Sequence, residues 1–189
     1  MYFTHFYGGN LLNILIRLLQ EQDAKDVLHL EVKNKEFFQS YTPLRPDSFY
    51  TIEGQLDKIN NTIKNANNGI GYSFGIFLKG SQRLIGIVTL TEVVKSVFQS
   101  CWLGYYLDQE ENGKGYMTEA VKLAVDFAFK ECNLHRIEAG VMPHNIGSIR
   151  VLEKAGFHKE GIARGNVKIN GKWEDHQILA IINESYVEE

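Results

Sequence analysis

The stretch with the residue types and spacing to do chemistry is Leu107-Asp108-Gln109-Glu110-Glu111-Asn112-Gly113-Lys114-Gly115-Tyr116-Met117-Thr118-Glu119-Ala120. It reads as a strand end, a short loop with glycines at i and i+2, and the start of a long amphipathic helix. Such a junction presents unpaired backbone N–H groups and the positive end of a helix dipole to an anion. Glycine suits it because the backbone must approach phosphate oxygens closely and take a positive φ. A Gly-x-Gly at a helix start also occurs in plain turns, so the motif needs its surroundings. A Walker loop would end in Gly-Lys-Ser/Thr, whereas Gly113-Lys114 is followed by Gly115. A dinucleotide fingerprint would need a third glycine where Thr118 stands.

The elements that must position this loop follow from periodicity and punctuation. A first strand is predicted over 14–19, then a helix capped by Asp23 and running to about Val32. Thr42-Pro43-Leu44-Arg45-Pro46 is a loop. Asp47 or Ser48 caps a second helix, with Leu56, Ile59, Ile63 and Ala66 at helical spacing and Asn67-Asn68-Gly69 at its end. Strands are predicted over 72–78, 84–94 and 97–107, joined by short hairpins. A long helix spans about 115–131, with Met117, Ala120, Val121, Ala124, Phe127 and Ala128 as its buried stripe. A strand over 136–142, a helix over 146–155 and two strands over about 157–168 and 173–182 complete the series. Asn170-Gly171 is the hairpin turn between the last two.

The second informative stretch is Val141-Met142-Pro143-His144-Asn145-Ile146-Gly147-Ser148-Ile149-Arg150-Val151-Leu152-Glu153-Lys154-Ala155-Gly156-Phe157. It resembles the motif that follows the parallel strand in acetyl-CoA-dependent N-acetyltransferases of the GNAT superfamily. Gly104-Tyr105-Tyr106-Leu107 and Gly113 to Ala120 resemble the strand and phosphate loop of the same proteins. Glu160-Gly161 and Asn170-Gly171-Lys172-Trp173-Glu174-Asp175-His176 resemble the tail of the branch that acetylates N-termini of ribosomal proteins. The resemblance covers about 14–182 and is most specific over 102–157.

It implies an α+β fold: a mixed, mostly antiparallel sheet of about seven strands, splayed between two central parallel strands, with helices on both faces. It also implies acetyl-CoA as cosubstrate. The pantetheine arm would pair with backbone near Tyr105, Tyr106 and Leu107. The pyrophosphate would rest on amides of Glu110, Glu111, Asn112, Gly113, Lys114 and Gly115, with Tyr116 at the margin. Asn145 would hydrogen-bond the pantetheine chain, and Ser148 would lie near the thioester sulfur. Glu110 departs from the family's frequent Gln or Arg and offers a phosphate nothing, which leaves Lys114 as the nearby cation. Leu152 stands where many relatives carry a tyrosine acid, so Ser148 becomes the leading proton or hydrogen-bond donor.

An α-amine has a pKa near ~8 and must lose a proton before attacking a thioester. Glu92, which closes a strand beside the expected acceptor cleft, and Asp175, in the last hairpin, are candidate bases. Residues 31–53 would shape that cleft, although Phe37, Phe38, Tyr41 and Tyr50 could equally be core. The expected acceptor is a protein N-terminus, a ribosomal protein foremost; a polyamine or an aminoglycoside fits the same scaffold, and a non-catalytic acyl-CoA-binding module is the alternative from another class.

The bulk numbers narrow the field. The 189 residues, 44% hydrophobic and 23% charged, suit one domain with a proper core over 1–189, and no repeat or linker divides them. A net charge of −3 gives no footprint for nucleic acid. The apolar run 11–19 is interrupted by Asn13 and Arg17 and too short to span a bilayer, so the chain reads as cytoplasmic, with no membrane contact. Cys101 and Cys132 are isolated, and no His-x-x-x-His, Cys-x-x-Cys or Gly-x-Ser-x-Gly spacing suggests a metal or a nucleophile elbow. A homodimer is left open.

Overall fold

The computed structural model describes residues 7–8 and 13–187. Its frame is one sheet. The strands are β1 (Tyr7–Gly8), β2 (Ile14–Leu18), β3 (Tyr72–Leu78), β4 (Leu84–Val94), β5 (Ser100–Leu107), β6 (Arg136–Val141), β7 (His158–Ile169) and β8 (Lys172–Ile182). They lie in the order β1-β2-β3-β4-β5-β6-β8-β7. All seven expected strands are present, and the two-residue β1 is added at the β2 edge. The helices are α1 (Ala24–Lys33), α2 (Lys35–Gln39), α3 (Ile52–Asn67), α4 (Tyr116–Lys130) and α5 (Ile146–Lys154).

Alternation along the strands feeds two cores, one on each face. On one face, α4 and α5 pack on Ile76, Val88, Leu103 and Ile137. The α4 stripe is built as its spacing predicts, from Met117 through Ala128, each at most 6% exposed. Ala120, Ala124 and Ala128 recur every fourth residue, so the helix axis approaches the strands closely. On the other face, Val27 and Leu30 of α1 and Ile59 of α3 meet Phe77, Leu84 and Ile87. Leu152 is fully buried in the first core, so packing explains it.

Every pairing is antiparallel except that of β5 with β6, which is parallel. That ladder holds only Ser100 to Arg136, Cys101 to Ile137 and Trp102 to Glu138. Beyond it, β5 stays zipped to β4 as far as Leu107 opposite Gly86. Meanwhile β6 stays zipped to β8 as far as Val141 opposite Gln177. The two strands therefore part in mid-sheet, and the edge of β5 from Leu103 to Leu107 faces a gap.

Several boundaries differ from expectation for local reasons. Asp23 makes no side-chain cap of α1; its carboxylate instead accepts from Gln20 N at 2.8 Å and from Arg17 at 2.7 Å. The cap of α3 is Thr51, whose Oγ1 accepts from Gly54 N at 3.0 Å, while Asp47 and Ser48 lie in a preceding 3-10 turn. β5 starts at Ser100 rather than Val97, because Gln99 N bonds Lys95 O at 2.8 Å and closes a wider turn. Val97, 91% exposed, stands outside the sheet.

The loop after β5 is pinned by a buried carboxylate. Asp108 accepts from Lys33 Nζ at 2.8 Å, Arg83 at 3.2 Å and Glu110 N at 3.3 Å. Burial pushes its carboxyl up, but the Lys33 ammonium and the amides of Glu110 and Asn34 outweigh burial and hold it below its usual value. A carboxyl lowered on folding stabilises the fold above its ordinary pKa, and that stability is lost as pH falls toward the folded value. Stability should therefore decline as pH drops below about 4. In Asp108→Asn it should be lower by about 1–3 kcal/mol at pH 7 and less acid-sensitive, as read by melts across pH. Parallel acid profiles for the variant and the parent would show that Asp108 does not carry the effect.

Candidate active site

The Asp108 turn decides which amides remain free. Besides Glu110 N, Glu111 N bonds Asp108 O at 2.9 Å, and Asn112 N bonds Gln109 O at 3.2 Å. Gln109 N is taken by Asn34 Oδ1 at 2.9 Å. The amides of 113–118 make no such bond among the described residues, so the open donors begin at Gly113 and run into the first turn of α4. Gly113 and Gly115 hold φ of 77° and 83°, and Gly115 is the N-cap of α4. The left-handed turn is what aims these amides outward together. Side chains of the loop are largely spoken for. Glu110, 72% exposed, pairs with Lys33 at 2.7 Å, and Lys114 pairs with Glu111 at 2.8 Å. Arg83 also reaches Glu111. Lys114 holds Glu111's carboxyl below its usual value, burial opposes this, and Arg83 adds to the lowering.

The parting of β5 and β6 opens a cleft of about 660 Å³ beside this loop. Tyr105, Tyr106, Leu107, Glu111, Asn112, Gly113, Gly115, Tyr116, Asn145 and Ser148 all line it; Glu110 and Lys114 do not. Asn145 caps α5, its Oδ1 accepting from Ser148 N at 3.1 Å, which leaves its amide NH₂ as a donor. The Ser148 hydroxyl lies 2.8 Å from the hydroxyl of Tyr105. Arg150 and Lys154, four residues apart on α5, border the cleft with no carboxylate partner among the described residues.

The cleft also has an aromatic wall. Phe37 and Phe38 from α2, Tyr41 and His144 form it, with Tyr41 stacked on His144 at 6.1 Å between ring centres. Phe38 meets Tyr106 edge to face at 4.9 Å. Behind this wall, Tyr106 OH donates to Glu31 at 2.6 Å, and Lys58 donates to the same oxygen at 3.0 Å. Burial raises the Tyr106 phenol well above its usual value, with Glu31 adding to it. Burial lowers the Lys58 ammonium against the pull of Glu31. The wall is tied across the molecule: Gln39 Nε2 donates to Asn170 Oδ1 at 2.9 Å and Asn170 Nδ2 donates to the Gln39 carbonyl at 3.1 Å, joining α2 to the β7–β8 turn.

Neither candidate base lies in the cleft lining. Glu92 is exposed at a bulge of β4 with φ 51°, and Asp175 accepts from Gly165 N at 2.8 Å on the exposed hairpin. Phe37, Phe38 and Tyr41 lie in the 31–53 segment expected to shape the cleft and do line it, whereas no separate signal singles out His144, Arg150 or Lys154. Only the i, i+4 spacing of Arg150 and Lys154 beside the Asn145–Ser148 cap could have marked the last pair. Among the described residues no group of three or more His, Cys, Asp or Glu could hold a metal, and no helix is long and apolar enough to cross a membrane.

A mixed sheet parted between two central parallel strands, with open amides at the following helix, is the GNAT arrangement. Residues 13–158 match the model of the acetyltransferase (GNAT) domain, and the chain belongs to that family. It is 54% identical over 170 residues to a probable N-acetyltransferase, YjcK, of Bacillus subtilis, covering 90% of this chain and 94% of that one. The crystal structure of the ribosomal-protein-S5-alanine acetyltransferase of Vibrio fischeri superposes with a TM-score of 0.92 at 31% identity, covering 97% of this chain and all of that one. Mycobacterium smegmatis RimJ, solved in complex with CoA-disulfide, gives 0.86 at 26% identity, over 93% of this chain and 85% of that one. This protein is an acetyl-CoA-dependent N-acetyltransferase.

The cleft suits that cosubstrate, since a free strand edge, a free Asn145 amide and six open loop amides match a linear diamide ending in a pyrophosphate. Gly115→Val should raise the Kd for acetyl-CoA at least ~10-fold, because a β-branched residue at φ 83° costs ~1–2 kcal/mol and turns the amides away. Calorimetry finding parental affinity in a folded variant would displace the phosphate site from this loop.

Proposed function

We propose that this enzyme acetylates the N-terminal α-amine of a protein, a ribosomal protein foremost, in the cytoplasm. The observation that carries the reading is the acceptor end of the cleft. Its lining is aromatic plus His144, and the one carboxylate bordering the cleft among the described residues, Glu111, is paired with Arg83 and Lys114 at the phosphate end. A polyamine would bring further cations and find no unpaired carboxylate there. An α-amine brings one, and at pH 7 roughly one in ten is already neutral, against about one in 2,500 for a lysine-type amine. Similarity to an enzyme named for the alanine of ribosomal protein S5 supports the same acceptor class.

Acetyl-CoA supplies an electrophilic thioester carbon and a thiolate that can leave. In this reading Gly113, Lys114, Gly115 and Tyr116 hold the pyrophosphate through backbone N–H groups, and Arg150 and Lys154 add positive charge beside it. Asn145 donates to the pantetheine chain, while the free edge from Tyr105 to Leu107 pairs with it. Ser148 Oγ donates a hydrogen bond to the sulfur as the amine nitrogen bonds to carbon and the C–S pair leaves on sulfur. The thiolate then takes its proton from solvent. His144 replaces Glu92 and Asp175 as the group that accepts the amine's proton, because it alone of the three lines the cleft. Most of the acceleration comes from holding the amine and the thioester together.

A panel of amines read by CoA release tests the acceptor. Peptides beginning with Ala or Ser should exceed spermidine and an aminoglycoside by at least ~100-fold in kcat/KM, the discrimination a mismatched polar group can impose. Faster turnover of spermidine would overturn the reading, and CoA binding without turnover on any amine would make the protein a binding module. With the best peptide, His144→Gln should cut kcat/KM at least ~10-fold without weakening acetyl-CoA binding, and added imidazole should restore part of it. Parental kcat/KM in that variant would pass the proton to water.

A further inference from the structure

Tyr105 stands on β5 with its side chain in the first core's margin, and Ser148 stands on α5, 43 positions later. The Tyr105 hydroxyl makes two contacts there: 2.8 Å to Ser148 Oγ and 3.0 Å to the Ser148 carbonyl oxygen. The Ser148 backbone is fixed in turn by its N–H on Asn145 Oδ1. The phenol cannot swing away without breaking both bonds.

Hydrogen counting separates two arrangements of the same atoms. A phenol carries one hydrogen and a serine hydroxyl carries one. If the phenol donates to the carbonyl oxygen, the 2.8 Å contact requires Ser148 to donate back to the phenol. No hydroxyl hydrogen then faces the cleft. If the phenol donates to Ser148 Oγ, the serine hydrogen is released toward the cleft, and its oxygen, already accepting one bond, becomes a better donor through polarisation along the chain. We infer that Tyr105 is the positioning residue that turns the Ser148 hydroxyl toward the leaving sulfur by donating its own hydrogen to Ser148 Oγ.

This rests on the reading of Ser148 as the donor to sulfur. No bond to Tyr105 forms or breaks and no proton leaves it; the hydrogen bond moves from the carbonyl to Oγ as negative charge grows on sulfur. Burial raises the phenol above its usual value against the opposing bond to Ser148, which keeps its hydrogen in place across the working pH range. The loss of tyrosine at Leu152, fully buried on the same helix, is thereby met by a tyrosine from a different strand.

A double-mutant cycle tests the inference, with the Ala-starting peptide and single-turnover rates at saturating acetyl-CoA. Tyr105→Phe keeps the ring and its packing, so it should fold and bind acetyl-CoA as the parent does, and turn over at least ~10-fold more slowly. Ser148→Ala should be slow as well. The combined variant should be no slower than Ser148→Ala alone, because Tyr105 has nothing to orient once the hydroxyl is gone. Losses that multiply in the double variant, or a parental rate in Tyr105→Phe beside a slow Ser148→Ala, would overturn the role of Tyr105 and leave that of Ser148 standing. A parental rate in Ser148→Ala would remove the donor reading and the inference together. If Tyr105→Phe melts early, Tyr105→Leu at a temperature where it is folded gives the same comparison against its own Ser148→Ala partner.

Discussion

The molecule depends on a separation as much as on any contact. β5 and β6 share three ladder positions and then part, each still zipped to an antiparallel neighbour on its outer side. A β-sheet interior cannot leave polar backbone dry and unpaired without cost. The exposed edge of β5 is therefore tolerable only where water or an extended ligand can reach it, which is the logic of strand addition applied in mid-sheet. The candidate site is arranged around that gap. The loop that leaves β5 turns at once to present its amides, and the cap of α5 follows directly after β6.

The sequence reaches the fold well because its signals are local and redundant. The α4 stripe needs only helical spacing, and the Asn170-Gly171 turn needs only its own dipeptide. Where competing caps stand close together, locality stops helping. Asp23 looks like a helix cap, yet Arg17 on the preceding strand takes both of its oxygens. Thr51 displaces Asp47 and Ser48 because a 3-10 turn uses up the residues before it.

The site is legible to the extent that it is contiguous. Gly113 and Gly115 announce themselves by spacing, Asn145 and Ser148 through the resemblance to the GNAT motif, and all four line one cleft. Which amides are free is not legible, since the side chains of Asn34 and Asp108 take those of 109 and 110 and the Asp108 carbonyl takes that of 111, bonds that no spacing reveals. Nor is the partnership of Tyr105 with Ser148, for strand alternation points Tyr105 to the α4–α5 face and Tyr106 to the other without saying which helix residue waits there. The aromatic wall is legible only in part. Residues 31–53 read as shaping the cleft, but nothing in a Phe37-Phe38 pair separates wall from core, and Phe38 is both at once.

The outer partner of β6 is β8, the last strand of the described chain, and the tip of that hairpin is what ties down α2 across 131 positions. The lower lip of the gap and the acceptor wall thus belong to contacts of high sequence separation, whose closure entropy must be met before they return any stability. The amide cradle draws its partners from Lys33 to Lys114, contacts 75 positions apart among them, so β2 through α4 already hold all of them. The cleft as a whole has its full shape only when the 172–182 strand is paired with β6 and the tip of its hairpin is bound to α2.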